Sequence, residues 1–495
     1  MPVSKSLALG VFIRPEAHFL PSTFAFISRL VDELVIVVAD RSAHTTPQRL
    51  PQGCRLIELE WRDDFAFARN QLIESVQSDW LLVVEHNELV PPETLTKIRA
   101  LTEQAGAAQD IHCLRIEVVD GAENVVETAY EPRLWQRDVT PHFRGRIFEQ
   151  IQANDGQTYV FHDDIRFRQE FEARSEAEEI RIQERNRRLL ELQYEETPED
   201  CHTRFCIGLT LMVEGELESS LAMLSDVIRD VGDCDCARSA QVFSIECLRK
   251  LGRAREAVEQ GLEWAKLSPE YGELWFSIGR AALESDQRIR AQAAFGRAQS
   301  TMTVATPGLY RDPTIADYKA MLGQAQAYAS LREVEAAEDI LGKVRSNLPA
   351  RRQEEVDSDF IEIWLQLNKP KKAFELVEYW IERSPIWSST SLLKIVEYCF
   401  TAQGPAQAYL MYQGAIVAHE ILLTYLHVVT VGAALCEMVD DHQSYFHHLQ
   451  LCVDLGSQQR LHYRELAKLY VERGDLERAK TIAELEHKLS ENGEG

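Results

Sequence analysis

Four groups of polar residues, each standing directly after a short apolar run, are the positions in the first part of the chain best suited to chemistry. They are Arg14-Pro15-Glu16, Asp40-Arg41-Ser42, Glu60-Trp61-Arg62-Asp63-Asp64 and Glu85-His86-Asn87-Glu88. Glu85, His86 and Asn87 carry oxygen and nitrogen atoms able to ligate a metal such as manganese. The apolar runs before these groups, Ser6 to Ile13, Leu34 to Val38, Arg55 to Leu59 and Trp80 to Val84, are rich in Val, Ile and Leu. Spaced by helix-like or loop segments, they have the rhythm of a parallel α/β sheet, and ligands of open α/β sheets bind at the strand ends.

The chain has 495 residues, enough for about three domains. Apolar residues make up 45% and charged residues 27%, the balance of a folded soluble protein rather than a disordered or collagen-like one. With 53 Lys+Arg against 79 Asp+Glu the net charge is −26, a field that repels phosphate backbones and anionic lipid surfaces, so nucleic acid is not an expected partner. The ten cysteines are scattered, and Cys234 and Cys236 have no second pair at zinc-ligand spacing. They read as reduced core thiols of a cytoplasmic protein, in keeping with an N-terminus that lacks an export signal. The longest apolar stretch, Ile421 to Cys436, is broken by Thr424 and His427 and falls short of the ~20 residues that a bilayer requires. No membrane insertion is expected.

Beyond about Glu170 the text changes. Glu/Arg-rich sequence runs into Leu189-Leu190-Glu191-Leu192, which predicts a connecting helix, and after Pro198 a unit of about 34 residues recurs. Its clearest copy has Trp275, Ile278-Gly279, Ala282, Ala291, Phe295 and Ala298; another has Tyr463, Leu466-Ala467, Tyr470, Ala479 and Ala483 around a turn at Gly474-Asp475. Ile207-Gly208, Leu211, Gly215 and Leu224 form a third, and Ala257, Pro269, Asn368, Ala373 and Pro385 mark others. The pattern is blurred between Thr301 and Val356 and after Gln403. It resembles the tetratricopeptide repeat, whose helix pairs stack into an α-solenoid with a concave face that commonly holds a peptide. His442, His447 and His448, the short basic groups at Arg351-Arg352 and Lys369 to Lys372, and the acidic tail read as solvated surface.

The string Trp61 to Asn70, followed by Asp79 to Glu88, resembles the bacterial family 2 glycosyltransferases of GT-A fold, in particular the branch with tetratricopeptide repeats behind the catalytic domain. Arg133-Leu134-Trp135, Gly145 to Ile151, Arg185-Asn186, Leu189-Leu190 and Pro198-Glu199-Asp200 match its later motifs. The resemblance implies an α/β plus all-α chain: a Rossmann-like GT-A domain over 1–155, a helical connector over 156–197 and a tetratricopeptide-repeat solenoid over 198–490. It implies transfer of a sugar from a nucleotide-sugar to a protein or peptide acceptor presented by the repeats. A divalent cation, Mn2+ or Mg2+, would bridge the diphosphate to Glu85 and Asn87. Asp40, Arg41, Asp63, Asp64, Arg69 and Asn70 would hold the nucleotide-sugar, and Glu149 is the candidate catalytic base.

Several family positions depart from this pattern. The family's Asp-x-Asp reads Glu85-His86-Asn87, the nucleobase acid aligns with Ala39 beside Asp40, and the motif histidine before Glu149 is Phe148. Opposite charges 4 Å apart are worth about 4 kcal/mol at an effective dielectric of 20, so losing a metal carboxylate is costly, although Arg41 could answer the diphosphate directly. The leading expectation is a glycosyltransferase of weakened metal motif. The alternative is a catalytically inactive pseudo-glycosyltransferase that serves as a repeat-based adaptor between proteins.

Overall fold

The computed structural model describes residues 5–13, 31–39, 53–104, 110–119, 125–139, 141–152, 157–170, 175–231, 234–301, 309–312, 314–348 and 353–492. The chain forms two compact units, 1–324 and 325–495.

The first unit opens with a mixed eight-stranded sheet of order β3-β2-β1-β4-β7-β6-β10-β5. Its strands are β1 (Leu7–Ile13), β2 (Glu33–Ala39), β3 (Arg55–Leu59), β4 (Trp80–Glu85), β5 (Glu88–Leu89), β6 (Asp110–Val119), β7 (Val125–Gln136) and β10 (Thr158–Glu170). The four expected strands are present, and β2, β1 and β4 pair in parallel, as does β3 with β2. The sheet is not all parallel, because β7 runs antiparallel to both β4 and β6. Alternate residues of β1, β2 and β4 feed two separate cores. Leu9, Val11, Ile36 and Leu82 lie in one with Leu95 and Ile98, while Ala8, Phe12, Val35 and Val83 lie in the other with Phe65 and Leu72. Both faces are covered, which explains why these strands read as continuous apolar runs.

The sheet also extends further along the chain than residue 155. Strand β10 ends at Glu170, and the connecting helix begins at Glu176, capped reciprocally by Ser175 and Glu178. These late strands escape the pattern because their outer positions are polar: β10 alternates Ile165 and Phe167 with exposed Arg166 and Arg168. A small ribbon, β8 (His142–Arg144) with β9 (Gln150–Gln152), stands apart from the main sheet.

Helix pairs follow. In the first unit they are 201–213 with 217–231, 235–250 with 254–264, and 272–284 with 288–300. The core containing Phe65 and Trp135 continues through Leu189 and Leu190 into Phe205, Leu224 and Ala240, so sheet, connecting helix and first repeats share one apolar interior. The helix Ala320–Ser330 spans the boundary, and in the second unit helix 334–347 is followed by the pairs 353–366 with 370–380, 385–403 with 405–418, 426–438 with 442–454, and 460–472 with 476–492. Among the described residues, helices therefore also run through the blurred stretches from Ile315 to Asn347 and from Pro405 onward. Before Ala320 a π-helical turn, Ile315–Lys319, shifts the helical period and hides the repeat.

Small residues set the spacing within a pair. A Cβ built on Gly279 would lie 2.8 Å from the Phe295 ring, and one on Gly208 would lie 2.7 Å from Leu224. Gly279→Ala should therefore lower stability by about 1–3 kcal/mol in urea denaturation. Gly414, also helical but facing open space, is the control. Its replacement by Ala should raise stability by about 0.5–1 kcal/mol.

Candidate functional site

The order β2-β1-β4 places a crevice at the carboxyl ends of β1 and β4, where Phe12 and Glu85 sit opposite one another. Glu85 closes β4, and the chain then turns through His86 and Asn87 into β5. All of Glu85 to Glu88 is buried. Glu85 is the hub of an ion-pair cluster. Its Oε1 receives Arg69 Nη2 at 2.6 Å and Arg133 Nη1 at 3.3 Å. Arg69 Nε also pairs with Glu149 at 2.5 Å, while Arg133 Nη2 reaches Glu88 at 2.6 Å and Glu131 at 2.7 Å. The side chains of Arg69 and Arg133 are only 7% and 4% exposed, so these pairs work at low dielectric.

Burial opposes both guanidinium charges, yet the surrounding carboxylates raise both pKa values. Glu88 moves the other way. Burial, with the Glu85 and Glu131 charges against the pull of Arg133, lifts its pKa from 4.5 to about 7. Arg69 is seated between the rings of Phe12 and Phe143, with centroids at 5.4 and 5.2 Å.

The donor-motif residues are engaged in building the domain. Asp63, held at φ 56° in a conformation that Asp tolerates better than most residues, takes both Arg188 guanidinium nitrogens at 2.7 Å and the Trp61 indole at 2.9 Å. Those ties reach the connecting helix. Asp64 is the N-cap of the Phe65–Ser75 helix, accepting from the Phe67 N–H at 2.8 Å. Asn70 clips the β8 backbone in both directions, donating to the Phe143 carbonyl and accepting from its N–H, each at 2.9 Å. Asp40 and Arg41 lie outside the described residues.

The residues expected to hold Mn2+ or Mg2+ do not fit that role in this arrangement. The Glu85 carboxylate already faces two guanidinium groups, and a dication bound there would sit beside both. Among the described residues no three His, Cys, Asp or Glu side chains converge as metal ligands.

Above the cluster opens a cleft of about 780 Å³. Arg69, Arg133, Glu131 and Glu149 line it together with Phe65, Tyr130, Phe143, Phe148 and Tyr159. Arg69 Nη1 and Arg133 Nε are buried without an acceptor. Charged donors and acceptors between aromatic walls suit a ligand rich in hydroxyl groups. Arg133, Glu88 and Glu131 carry no role in the sequence reading. Arg133 stood in a matched motif, but its pairing with Glu85 depends on the antiparallel β4–β7 contact. The His202 ring, distant in sequence from Cys236, lies 3.6 Å from Cys206 Sγ and 3.8 Å from Cys236 Sγ.

Removing one member of the cluster leaves its partners buried and uncompensated, so Arg69→Met should cost about 3–5 kcal/mol, read by urea unfolding. The raised Glu88 pKa means that the fold binds a proton more tightly than the unfolded chain. This contribution is complete below about pH 4.5 and is lost as pH rises through about 7. Replacing the residue with a neutral isostere, Glu88→Gln, should flatten the fall in stability across that interval, measured by denaturation at a series of pH values.

No family model matches the chain. A TPR repeat-containing protein of Synechococcus elongatus is 33% identical over 101 residues, which is 20% of this chain. The matched part spans 25% of that relative's length. Among solved structures, a tetratricopeptide repeat protein from Parabacteroides merdae is similar at TM-score 0.37 and 12% identity, over 49% of this chain and 91% of that one. Yeast Tom70 is similar at TM-score 0.36 and 15% identity, over 64% and 62%. Among the described residues no helix is long and apolar enough to cross a membrane. The sequence relationship, over that fifth of the chain, is to a tetratricopeptide repeat protein.

Proposed function

We propose that the chain is a protein-binding repeat adaptor whose N-terminal domain is a glycosyltransferase-like fold no longer built for metal-assisted transfer. The observation that carries this reading is the double engagement of Glu85 by Arg69 and Arg133. A carboxylate that would bridge a cation to a diphosphate is instead neutralised from within. The cluster also brings Glu88, Glu131 and Glu149 around those two arginines, so carboxylates outnumber guanidinium groups and the floor does not attract a bare diphosphate. The motif residues Asp63, Asp64 and Asn70 persist for what they hold together: a helix start, the connecting helix and the β8 backbone.

A second reading is favoured by the cleft itself. Its charged floor and aromatic walls suit a saccharide, and Glu149 is among the residues that line it. Sugar transfer without a divalent cation would then require Glu149 to part from Arg69.

Calorimetric titration of the purified chain with UDP and with GDP, each with and without Mn2+, separates these readings. The adaptor reading expects no metal-dependent heat at millimolar nucleotide. Micromolar binding that appears only with Mn2+ and vanishes in Glu85→Gln would overturn it.

A further inference from the structure

The first helices of the three repeats in the first unit, 201–213, 235–250 and 272–284, lie side by side, and their common face carries an aromatic row. The row starts from Phe205, which belongs to the interior shared with the sheet, and passes to Phe243, whose ring centroid is 5.9 Å away. This face is not bare. The link from Ser300 to Ile315 spans 14 residues, against three in each turn inside the first unit's pairs. Its Leu309–Asp312 part comes back across the first helices.

That segment is tied to the first helices through its backbone. The Tyr310 N–H donates to Ser239 Oγ at 2.9 Å, and the Tyr310 carbonyl accepts from the Tyr271 hydroxyl at 2.9 Å. The Asp312 N–H donates to Glu273 Oε1 at 3.2 Å. Tyr310 extends the aromatic row, its ring 4.9 Å from Phe243. Leu309 is buried, whereas Tyr310 stays 36% exposed, lying on the surface rather than inside it. Side chains of two repeats thus read main-chain donors and acceptors of a single non-helical segment, and one aromatic ring supplies the specific contact.

We propose that this face is a docking surface for an extended peptide presenting an aromatic side chain, and that the chain's own Leu309–Asp312 segment occupies it until such a partner displaces it. The inference rests on the protein-binding reading of the repeats, but not on the fate of the nucleotide site, which the calorimetric titration tests separately. A self-occupied site lowers apparent affinity by the fraction of molecules in which it is open.

The test uses the full chain and a fluorescein-labelled Gly-Leu-Tyr-Arg-Asp peptide. Tyr310→Ala, which loosens the resident segment, should bind the peptide at least about ten-fold more tightly than the wild type, and Phe243→Ala added to it should remove that binding. No binding to a Tyr310→Ala protein of unchanged circular dichroism, or equal binding to both proteins, would overturn the proposal. Should Tyr310→Ala fail to fold, hydrogen exchange on the wild type decides. The Tyr310 and Asp312 amides should exchange at least about ten-fold faster than those at the centre of helix 272–284. Protection equal to that helix would make the segment a fixed part of the fold and refute its displacement.

Discussion

The pairing of Arg69 and Arg133 with one buried carboxylate, Glu85, is the constraint on which the first unit turns. Arg69 comes from the helix after β3, Arg133 from β7, Glu85 from β4, Glu88 from β5 and Glu149 from the ribbon beside the cleft. Each charge alone would cost several kcal/mol to bury, and only their mutual contact offsets that cost. The elements that supply them are therefore not free to drift. A carboxylate held by two guanidinium groups is also a poor ligand for a further cation.

Around this centre the connecting helix acts as a brace. Arg188 holds Asp63, Gln193 Oε1 accepts from the Ile147 N–H at 3.2 Å, and Arg146 pairs with Glu196. From there Gln193 Nε2 donates to Thr203 in the first repeat helix at 2.7 Å, and Leu189 and Leu190 extend the sheet's core into the repeats. Sheet, brace and first repeats are one packed body. Within the Trp61 to Asn70 string, Asp63, Asp64 and Asn70 each tie part of this body together.

Much of the fold was legible in the sequence. Strands β1, β2 and β4 stand where continuous Val/Ile/Leu runs predict them, since a strand buried on both faces leaves that signature, and the half-buried β3 follows its shorter run. Gly279 with Phe295 and Gly208 with Leu224 meet across their helix pairs as the repeat spacing predicts. The half-exposed strands β7 and β10 were not legible, because polar outer positions such as Arg166 and Arg168 mask their alternation. The repeat at Ile315–Lys319 was hidden by a π-helical turn that adds a residue to the period.

The candidate site divides along the same line. The order of Asp63, Asp64, Arg69, Asn70, Glu85 and Glu149 along the chain made them candidates by resemblance to a known motif. Only the tertiary structure decided which of them meet: Arg69, Glu85 and Glu149 share one ion-pair cluster, whereas Asp63 and Asp64 stand outside it on Arg188 and the Phe67 N–H. Whether a buried carboxylate meets a cation from solvent or a guanidinium from a neighbouring strand depends on the antiparallel β4–β7 contact, which brings Arg133 to Glu85 across 48 positions of sequence. Local periodicity carries no record of such a contact, because it reports which face of an element is apolar and not which charged group another element will place against it.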